Sequence, residues 1–439
     1  MMCVYAAYFS APVFSMKKLL WSAILLAALN ACTSVPVEQP GAPSPAAPAE
    51  LPPLSVPPLS SLPETPARPL QGHYAPARWE SLPDWTSDGL FHVWKGLLND
   101  CRGLMRPVPE SLANPARANP RAWQPVCQAA VQANMGPDAD GDAVRRFLQA
   151  HLRPWRLEQA PGRPASGLVT GYYEPLIHAS RTRGGAYQWP LYATPSDLLV
   201  VDLGTVYPEL AGKRVRGKLE GRRVVPYDTR AEIAANPARQ PPVIVWASDP
   251  VEAFFLQIQG SGRAVLPDGS VVRLAYADHN GRPYVSIGQW LARQGEMPLA
   301  RTSMQNIKQW ARSHPDRVQQ MLNVNPAMVF FREEAITDAE LGPAGAYGVP
   351  LPPQRAIAVD TSFVPLGTPV YLDTQQPGGG APLRRLVYAL DTGAAIKGAA
   401  RADFYWGTGD AAGASAGRMK QPGQMWLLWP VQAGAPTAR

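Results

Sequence analysis

The chain has 439 residues, of which 46% are hydrophobic and 17% are charged, and it carries a formal net charge of +7. This length leaves room for two domains with a core in each, so size excludes neither an enzyme nor a binding protein. The positive charge permits an acidic polymer as a partner, but no basic helix or aromatic-plus-basic motif indicates nucleic acid, which we therefore do not expect as a partner.

The N-terminal residues 1–32 are predicted to form an export signal. Met16 and two lysines precede an apolar run at residues 19–29, which has the length of a secretory signal and is too short to span a bilayer. The run ends in Leu-Asn-Ala-Cys, which resembles the lipobox of bacterial lipoproteins and implies that Cys32 is lipidated. Because residues 1–15 do not fit in front of such a signal, we expect translation to start at Met16. Without an acidic retention signal after Cys32, the resemblance implies an outer-membrane lipoprotein facing the periplasm of a Gram-negative cell. An uncleaved N-terminal anchor is the alternative.

Residues 33–76 are predicted to be a linker, because thirteen prolines among alanines and serines leave no hydrophobic periodicity. Beyond it, Cys101 and Cys127 are the only cysteines. In an oxidising periplasm we expect them to form a disulfide, and two free buried thiols are the alternative. Neither their spacing nor any neighbouring histidine indicates a metal, so we expect no metal site.

The middle of the chain alternates between helical and strand-like patterns. Apolar residues recur at helical spacing between residues 79 and 157, and again between 286 and 331, which predicts short helices. The region between them reads as short strands separated by glycines and prolines. Within it, we expect a strand at residues 254–259. Its residues 256–259 alternate apolar and amide side chains, which would place Gln257 and Gln259 on one face.

Five short strands with tight turns occupy the C-terminal part of the chain, and this pattern predicts a small β-barrel. The five strands are expected at residues 356–359, 368–372, 386–390, 402–406 and 425–429.

Two aspartates in these strands are the candidates for chemistry. Asp391 and Asp403 lie twelve residues apart, each beside an apolar run and near glycines. A carboxylate at a strand end beside a flexible turn can serve in acid–base catalysis, although an aspartate before Thr-Gly is also a common turn former. The chain contains no HExxH, P-loop, GxSxG or dinucleotide-binding motif, so we expect no cofactor.

Two enzyme classes use carboxylates in this way. Aspartic proteases share a proton between two of them, and Asp360 and Asp391, each followed by threonine, superficially match their triplets. That fold takes one triplet from each of two similar lobes, whereas these lie 31 residues apart in a chain without an internal repeat. In glycosidic cleavage a carboxylic acid protonates the leaving oxygen, and Asp403 suits this role because burial against neighbouring aromatic residues would hold its proton. Arg401 on the same face would act in the opposite direction, so the sequence leaves the direction of the pKa shift open.

Longer motifs follow one another along most of the chain. In order they are GLVTGYYEP (167–175), QGSGR (259–263), YADHNGRPYVSIGQWL (276–291), SMQNIKQW (303–310), NPAMVFFRE (325–333), IAVDTSFVPLGTPVYL (357–372) and LDTGAAIKGAARADFYWGTGDAAG (390–413). Together they resemble the membrane-bound lytic murein transglycosylase A family. The resemblance implies a mainly β fold with helices, in which a double-psi β-barrel is built from both ends of the chain, 77–173 and 339–430. It also implies an inserted β-rich domain at 174–338, with the sugar strand in the groove between the two.

The resemblance also implies a reaction. The enzyme would cleave the β-1,4 bond between N-acetylmuramic acid and N-acetylglucosamine without water. Asp403 falls on the catalytic acid, which protonates the bridging oxygen and then, as a base, takes the proton of the muramyl C6 hydroxyl as a 1,6-anhydro ring closes. Asp391 falls on a second aspartate that shapes or polarises the site. The implied substrate-binding residues are Tyr173, Glu174, Gln259, Ser261 and Lys397.

One position departs from the family pattern. The family usually shows DTGGAIKG, and here Ala394 replaces the second glycine. If that position needs a positive φ, the loop that carries Lys397 would be strained. The implied partners are peptidoglycan glycan strands, with murein synthases or amidases as candidate protein partners of a monomer. A murein-binding lipoprotein of the same fold without catalysis is the alternative function.

Overall fold

The computed structural model describes residues 53–438, except 65, 108–115, 137–138, 205, 208–209, 211–213 and 394. The predicted signal, Cys32 and Ala394 therefore lie outside the described residues.

Helices flank the barrel and fill one side of the inserted domain. They are α1 (Val93–Met105), α2 (Pro120–Ala133), α3 (Gly141–His151), α4 (Arg230–Ala235), α5 (Pro250–Gln259), α6 (Ile287–Arg293), α7 (Met304–Ser313), α8 (Val318–Asn323) and α9 (Gly409–Arg418).

The strands alternate between the two parts of the fold. They are β1 (His73–Pro76), β2 (Leu152–Ala160), β3 (Arg163–Pro164), β4 (Gly167–Glu174), β5 (Leu176–Ser180), β6 (Trp189–Tyr192), β7 (Leu199–Asp202), β8 (Arg214–Glu220), β9 (Arg223–Pro226), β10 (Val243–Ala247), β11 (Gly262–Val265), β12 (Val271–His279), β13 (Val329–Glu334), β14 (Ala356–Val359), β15 (Thr368–Gln375), β16 (Pro382–Asp391), β17 (Ala402–Thr408) and β18 (Lys420–Pro430).

Six of these strands close into a barrel. Hydrogen bonds connect β18, β15, β16, β14, β17 and β4 in that order, and β4 pairs in turn with β18. Two of the pairs, β14 with β16 and β17 with β4, are parallel, and the others are antiparallel. Apolar residues of alternating strand positions, such as Val370, Phe404 and Leu427, are fully buried inside. The five predicted C-terminal strands and the fold class are confirmed.

The end of the predicted linker belongs to the barrel part. Strand β1 pairs with β2, which extends the sheet from β18, and the Tyr74 hydroxyl donates a hydrogen bond to the Phe363 carbonyl at 2.6 Å. Leu62 is also buried against the core. The prediction that the linker reaches residue 76 is therefore wrong, because a few apolar side chains are enough to anchor a proline-rich segment that lacks periodicity.

A disulfide joins the first two helices. Cys101 of α1 and Cys127 of α2 are both fully buried, and their Cα atoms lie 5.7 Å apart. On the same pair of helices, Trp94 and Trp123 are buried as core residues.

The inserted part, between β4 and β14, contains two sheets. The larger follows the order β13–β12–β11–β5–β10–β6, and the smaller consists of β7, β8 and β9. Helices α5 to α8 share an apolar cluster beside the larger sheet, with Phe254, Leu291 and Met321 at its centre.

The predicted strand at 254–259 is wrong, because these residues belong to α5. The Asp249 side chain accepts hydrogen bonds from the Val251 and Glu252 amides, Pro250 occupies the first helical position, and Gly260 ends the helix at φ 81°. A capped start and a glycine end of this kind favour a helix over a strand. Gln257 and Gln259 consequently do not share a face: Gln257 is buried against Arg230, whereas Gln259 points towards β4.

Within the described ranges, no helix is long and apolar enough to cross a membrane.

Candidate active site

A row of residues crosses five neighbouring strands at one level of the barrel. Asp403 of β17 is aligned with Thr170 of β4 on one side and with Ala358 of β14 on the other. The row continues to Lys420 on β18 and to Asp391 on β16. Because adjacent strands lie about 4.8 Å apart, the Cα atoms of the two aspartates are separated by roughly 10 Å. The barrel topology therefore brings together two carboxylates that local sequence patterns could only place at separate strand ends.

Asp403 lies in a half-buried environment that favours its protonated form. Burial raises the pKa of its carboxyl from 3.8 to about 6, and the nearby charge of Asp391 acts in the same direction. Two neighbours oppose this: the Thr170 hydroxyl donates a hydrogen bond of 2.6 Å to Oδ1, and the positive charge of Arg401 also lowers the pKa. The net effect is a carboxylic acid that exchanges its proton close to neutral pH, as a general acid and base requires.

Asp391 is held in a fixed orientation by three donors. Its Oδ1 accepts hydrogen bonds from the Ala346 amide at 2.8 Å and from its neighbour Thr392 at 2.9 Å. Its Oδ2 accepts a bond from the Tyr172 hydroxyl at 3.3 Å. Burial raises the pKa of Asp391, while these donors lower it. Both oxygens of Asp391 are thus bonded to the protein, and its charge raises the pKa of Asp403.

Asp360 supports the loop after β16 and does not pair with Asp391. Its Oδ1 accepts from the Ser362 amide at 3.0 Å and its Oδ2 from the Gly398 amide at 2.8 Å. The carboxylate is buried and joins two backbone segments, so the geometry does not resemble the shared proton of an aspartic protease dyad. Lys397 stands exposed on the loop that this carboxylate holds.

The remaining predicted binding residues lie along the end of β4. Tyr173 is half-buried, its amide donates to Oε1 of Gln259 at 3.2 Å, and its hydroxyl contacts the Met304 sulfur at 3.6 Å. Ser261 is half-buried in the turn that follows Gly260. These contacts connect the barrel strand to α5 and α7 of the inserted part.

Glu174 does not face a groove, and that prediction is wrong. Its side chain is fully buried and forms ion pairs with Arg263 and Arg273, each at 2.8 Å. A motif position shows that a residue matters but not which way its side chain points, and here two arginines from the inserted sheet determine the direction.

Sequence reasoning missed Thr170 and Tyr172, which touch the two aspartates directly. Both stand in the GLVTGYYEP segment, and they share a strand face because side chains alternate along a strand. Alternation could have grouped them, but only the parallel pairing of β4 with β17 shows that this face meets Asp403.

Within the part of the chain that the structure describes, no group of three or more His, Cys, Asp or Glu side chains could hold a metal ion.

A half-buried carboxylic acid whose pKa is raised to about 6 is suited to general acid catalysis near neutral pH, so the site fits that class of enzyme. Two family descriptions match this chain: "MltA specific insert domain" at residues 168–332 and "3D domain" at residues 355–429. The chain belongs to the membrane-bound lytic murein transglycosylase A family.

Three relatives show how far the similarity extends. Membrane-bound lytic murein transglycosylase A of Escherichia coli K12 is 33% identical over 66% of this chain and 72% of its own length. The structure of the lytic transglycosylase LtgG of Burkholderia pseudomallei is 42% identical, with a TM-score of 0.57, and covers 84% of this chain and 99% of that one. The structure of MltA from Neisseria gonorrhoeae is 34% identical, with a TM-score of 0.70, and covers 85% of this chain and 97% of that one. A structure of the E. coli protein with bound chitohexaose is 27% identical to this chain, with a TM-score of 0.57. It covers 81% of this chain and 94% of that one.

Proposed function

We propose that this lytic transglycosylase cleaves the β-1,4 bond between N-acetylmuramic acid and N-acetylglucosamine of peptidoglycan with Asp403 as its single acid and base. The observation that carries the proposal is the position of the Asp403 carboxyl, half-buried on β17 beside the Thr170 hydroxyl at 2.6 Å. Burial there raises its pKa to about 6, which lets it give and take a proton near neutral pH. Membership of the family and the chitohexaose bound to the E. coli relative support a glycan strand as the ligand.

The proposed reaction has two proton transfers. Asp403, protonated, gives its proton to the bridging oxygen as the glycosidic bond breaks and positive charge develops at C1 of the muramyl residue. Asp403, now a carboxylate, takes the proton of the muramyl C6 hydroxyl while that oxygen bonds to C1. The products are a free N-acetylglucosamine hydroxyl and a 1,6-anhydro-muramyl end, and Asp403 regains its proton.

A second carboxylate is not needed in this scheme, because the nucleophile belongs to the substrate and is held next to C1 by the sugar ring itself. The hydrogen bonds of Asp391 support a scheme without a second catalytic carboxylate. Its oxygens accept from Ala346, Thr392 and Tyr172, so it is poorly placed to activate a water. We assign Asp391 to stabilising the positive charge that develops at C1, and Tyr173, Gln259, Ser261 and Lys397 to binding the glycan.

The test is mass spectrometry of fragments released from purified sacculi by the wild type, by Asp403→Asn and by Asp373→Asn. Asp373 is the matched control, since it lies on barrel strand β15 and pairs with Arg384 away from the site. We expect fragments lighter by one water than hydrolysis products from the wild type and the control, and none from Asp403→Asn. Fragments that have gained water would contradict the proposal, and no release by any of the proteins would favour a murein-binding protein without catalysis.

We also propose that the enzyme is an outer-membrane lipoprotein anchored through Cys32, which lies outside the described residues. The lipobox-like sequence supports an anchor, and relatives named membrane-bound support a membrane location. We expect the mature N-terminal peptide to begin at Cys32 with a lipid mass attached, and Cys32→Ala to leave the protein in the soluble periplasmic fraction. An unmodified Cys32 peptide in the membrane fraction would contradict this anchor.

A further inference from the structure

A buried charge cluster stands where the barrel meets the inserted part. The carboxylate of Glu174, at the end of β4, accepts hydrogen bonds of 2.8 Å from Nε of Arg263 and 2.8 Å from Nε of Arg273. The Thr408 hydroxyl, at the end of β17, donates to the same carboxylate at 2.9 Å. Glu174 is 0% exposed, and the arginines are 8% and 5% exposed.

The same arginines hold the chain where it returns from the insert. Arg263 donates to the carbonyl oxygens of Ala339 at 3.0 Å and Leu341 at 2.9 Å, and Arg273 donates to Leu341 at 2.7 Å. At the outgoing crossing the Arg263 amide bonds to the Pro175 carbonyl at 2.7 Å. Both passages of the chain between the two parts are therefore attached to one cluster.

The cluster shares its two barrel strands with the catalytic residues. Thr408 and Glu174 are paired on β17 and β4, as Asp403 and Thr170 are a few residues earlier on the same strands. Between the two pairs, Tyr405 packs against Gly342 so closely that a Cβ at the glycine would lie 2.3 Å from the tyrosine hydroxyl. A displacement of the insert would thus be transmitted directly to the strands that carry the acid.

A buried cluster of charges adds little net stability to a fold. Removing three charges from water costs about as much as their attraction returns, and apolar side chains of the same volume often stabilise a fold equally well. Charged groups differ from apolar ones in tolerating only one geometry, because each donor must meet its acceptor. Here one carboxylate and two carbonyl oxygens accept from two guanidinium groups, and those acceptors belong to two chain segments, the end of β4 and the return at residues 339–341.

We propose that Glu174, with Arg263 and Arg273, is a positioning group that fixes the angle between barrel and insert and so sets the width of the groove before Asp403. This inference rests on the proposed function, since the groove is where the glycan strand would be bound. Glu174 does not touch the substrate and acts through the two strands that carry Thr170 and Asp403.

The test compares Glu174→Gln with Asp88→Asn in the full mature chain. Asp88 and Arg355 form an equally buried ion pair, 2.7 Å long, with both partners in the barrel part, so this variant disturbs a buried charge without touching the junction. Spin labels at position 215 of the insert and position 431 of the barrel part, where both valines are exposed, report the distance between the insert and the barrel. Steady-state kinetics on soluble peptidoglycan strands report kcat and KM.

For Glu174→Gln we expect a broadened label-to-label distance distribution and a loss of kcat/KM of tenfold or more. The descending limb of the pH profile should remain near pH 6, because the contacts of Asp403 are intact. For Asp88→Asn we expect lower stability, a narrow distance distribution and wild-type kcat/KM well below its melting temperature. If Glu174→Gln does not fold, Thr408→Val, which removes a single bond to the carboxylate, should give the same effects in weaker form.

A narrow distance distribution together with unchanged kinetics in the junction variant would overturn the proposal and leave the cluster a purely stabilising one. The outcome is separate from that of the proposed function. If the wild type releases no anhydro product, the function fails while the distance measurement still decides the positioning role.

Discussion

At Asp403, burial and local bonding act on the proton in opposite directions. The low-dielectric surroundings disfavour the carboxylate, whereas the Thr170 hydroxyl and Arg401 favour it, and the balance leaves a pKa of about 6. The sequence alone left the direction of this shift open, because it showed both the aromatic neighbours and the arginine. The burial of Asp403 in the folded chain decides it, because this effect outweighs those of Thr170 and Arg401.

The Thr170 hydroxyl is predicted to tune the acid. Thr170→Val removes a donor that stabilises the carboxylate, so the pKa of Asp403 should rise and the alkaline limb of the kcat/KM profile should move to higher pH. Thr392→Val is the matched control, since its hydroxyl bonds to the Val359 carbonyl and not to Asp403. A limb that moves equally in both variants, or in neither, would show that Thr170 does not set this pKa.

The Asp403 side chain is also predicted to lower the free energy of unfolding above pH 6. Its pKa is raised on folding, so the stability associated with its protonated form is present below about pH 4 and is lost as the pH rises through 6. The shift from 3.8 to about 6 corresponds to about 3 kcal/mol at neutral pH. Denaturant unfolding at pH 7.5 should therefore find Asp403→Asn more stable than the wild type by up to this amount, and at pH 3.5 the difference should vanish. Equal stability at both pH values would contradict the buried-charge account.

The elements of this protein differ in how well local sequence specifies them. The barrel strands could be predicted because short apolar runs bounded by turn residues are typical of strands. The observed strand ends differ from the predicted ones by only a few residues. Residues 256–259 of helix α5 alternate apolar and amide side chains, and four residues are too few to separate the period of a strand from that of a helix. The capping signal of Asp249 and Pro250, just upstream, would have corrected the predicted strand.

The loop between β16 and β17 is predicted to depend on Asp360. Asp360→Ala removes the acceptor of the Ser362 and Gly398 amides, which should cost about 1–3 kcal/mol and loosen the segment that carries Lys397. We expect faster amide exchange at residues 395–400 and a raised KM with a smaller change in kcat. The variant Asp360→Asn, which retains an acceptor, should restore most of the protection. Unchanged exchange in the alanine variant would show that other contacts hold the loop.

For the whole molecule, the family resemblance indicated the architecture and the residues indicated its parts. The barrel from both chain ends and the inserted domain were expected, and the closed six-strand path confirms them. The anchoring of Tyr74 and the charge cluster at the junction could not be expected, since each depends on partners more than 80 residues away. Contacts of that range leave no periodic signal in a single sequence.

The disulfide between α1 and α2 is predicted to stabilise the barrel part without serving catalysis. Closing a loop of this length should contribute about 3 kcal/mol, mainly by restricting the unfolded chain. We expect the double variant Cys101→Ser/Cys127→Ser to unfold at lower denaturant concentration by this amount and to retain wild-type kcat/KM under native conditions. Adding a reductant should lower the denaturant concentration at which the wild type unfolds and leave that of the variant unchanged. A loss of turnover in the folded double variant would contradict the separation of roles.

The closure of the barrel by β18 has a consequence for when activity can arise. This strand sits between β4 and β15, so the sheet that carries Asp403 stays open until the last strand has been delivered. In a chain that folds as it emerges from its N-terminus, β4 would thus be present while the sheet that carries the acid is still incomplete. The order in which the strands emerge would by itself keep this lytic transglycosylase inactive until its C-terminal strand has been added.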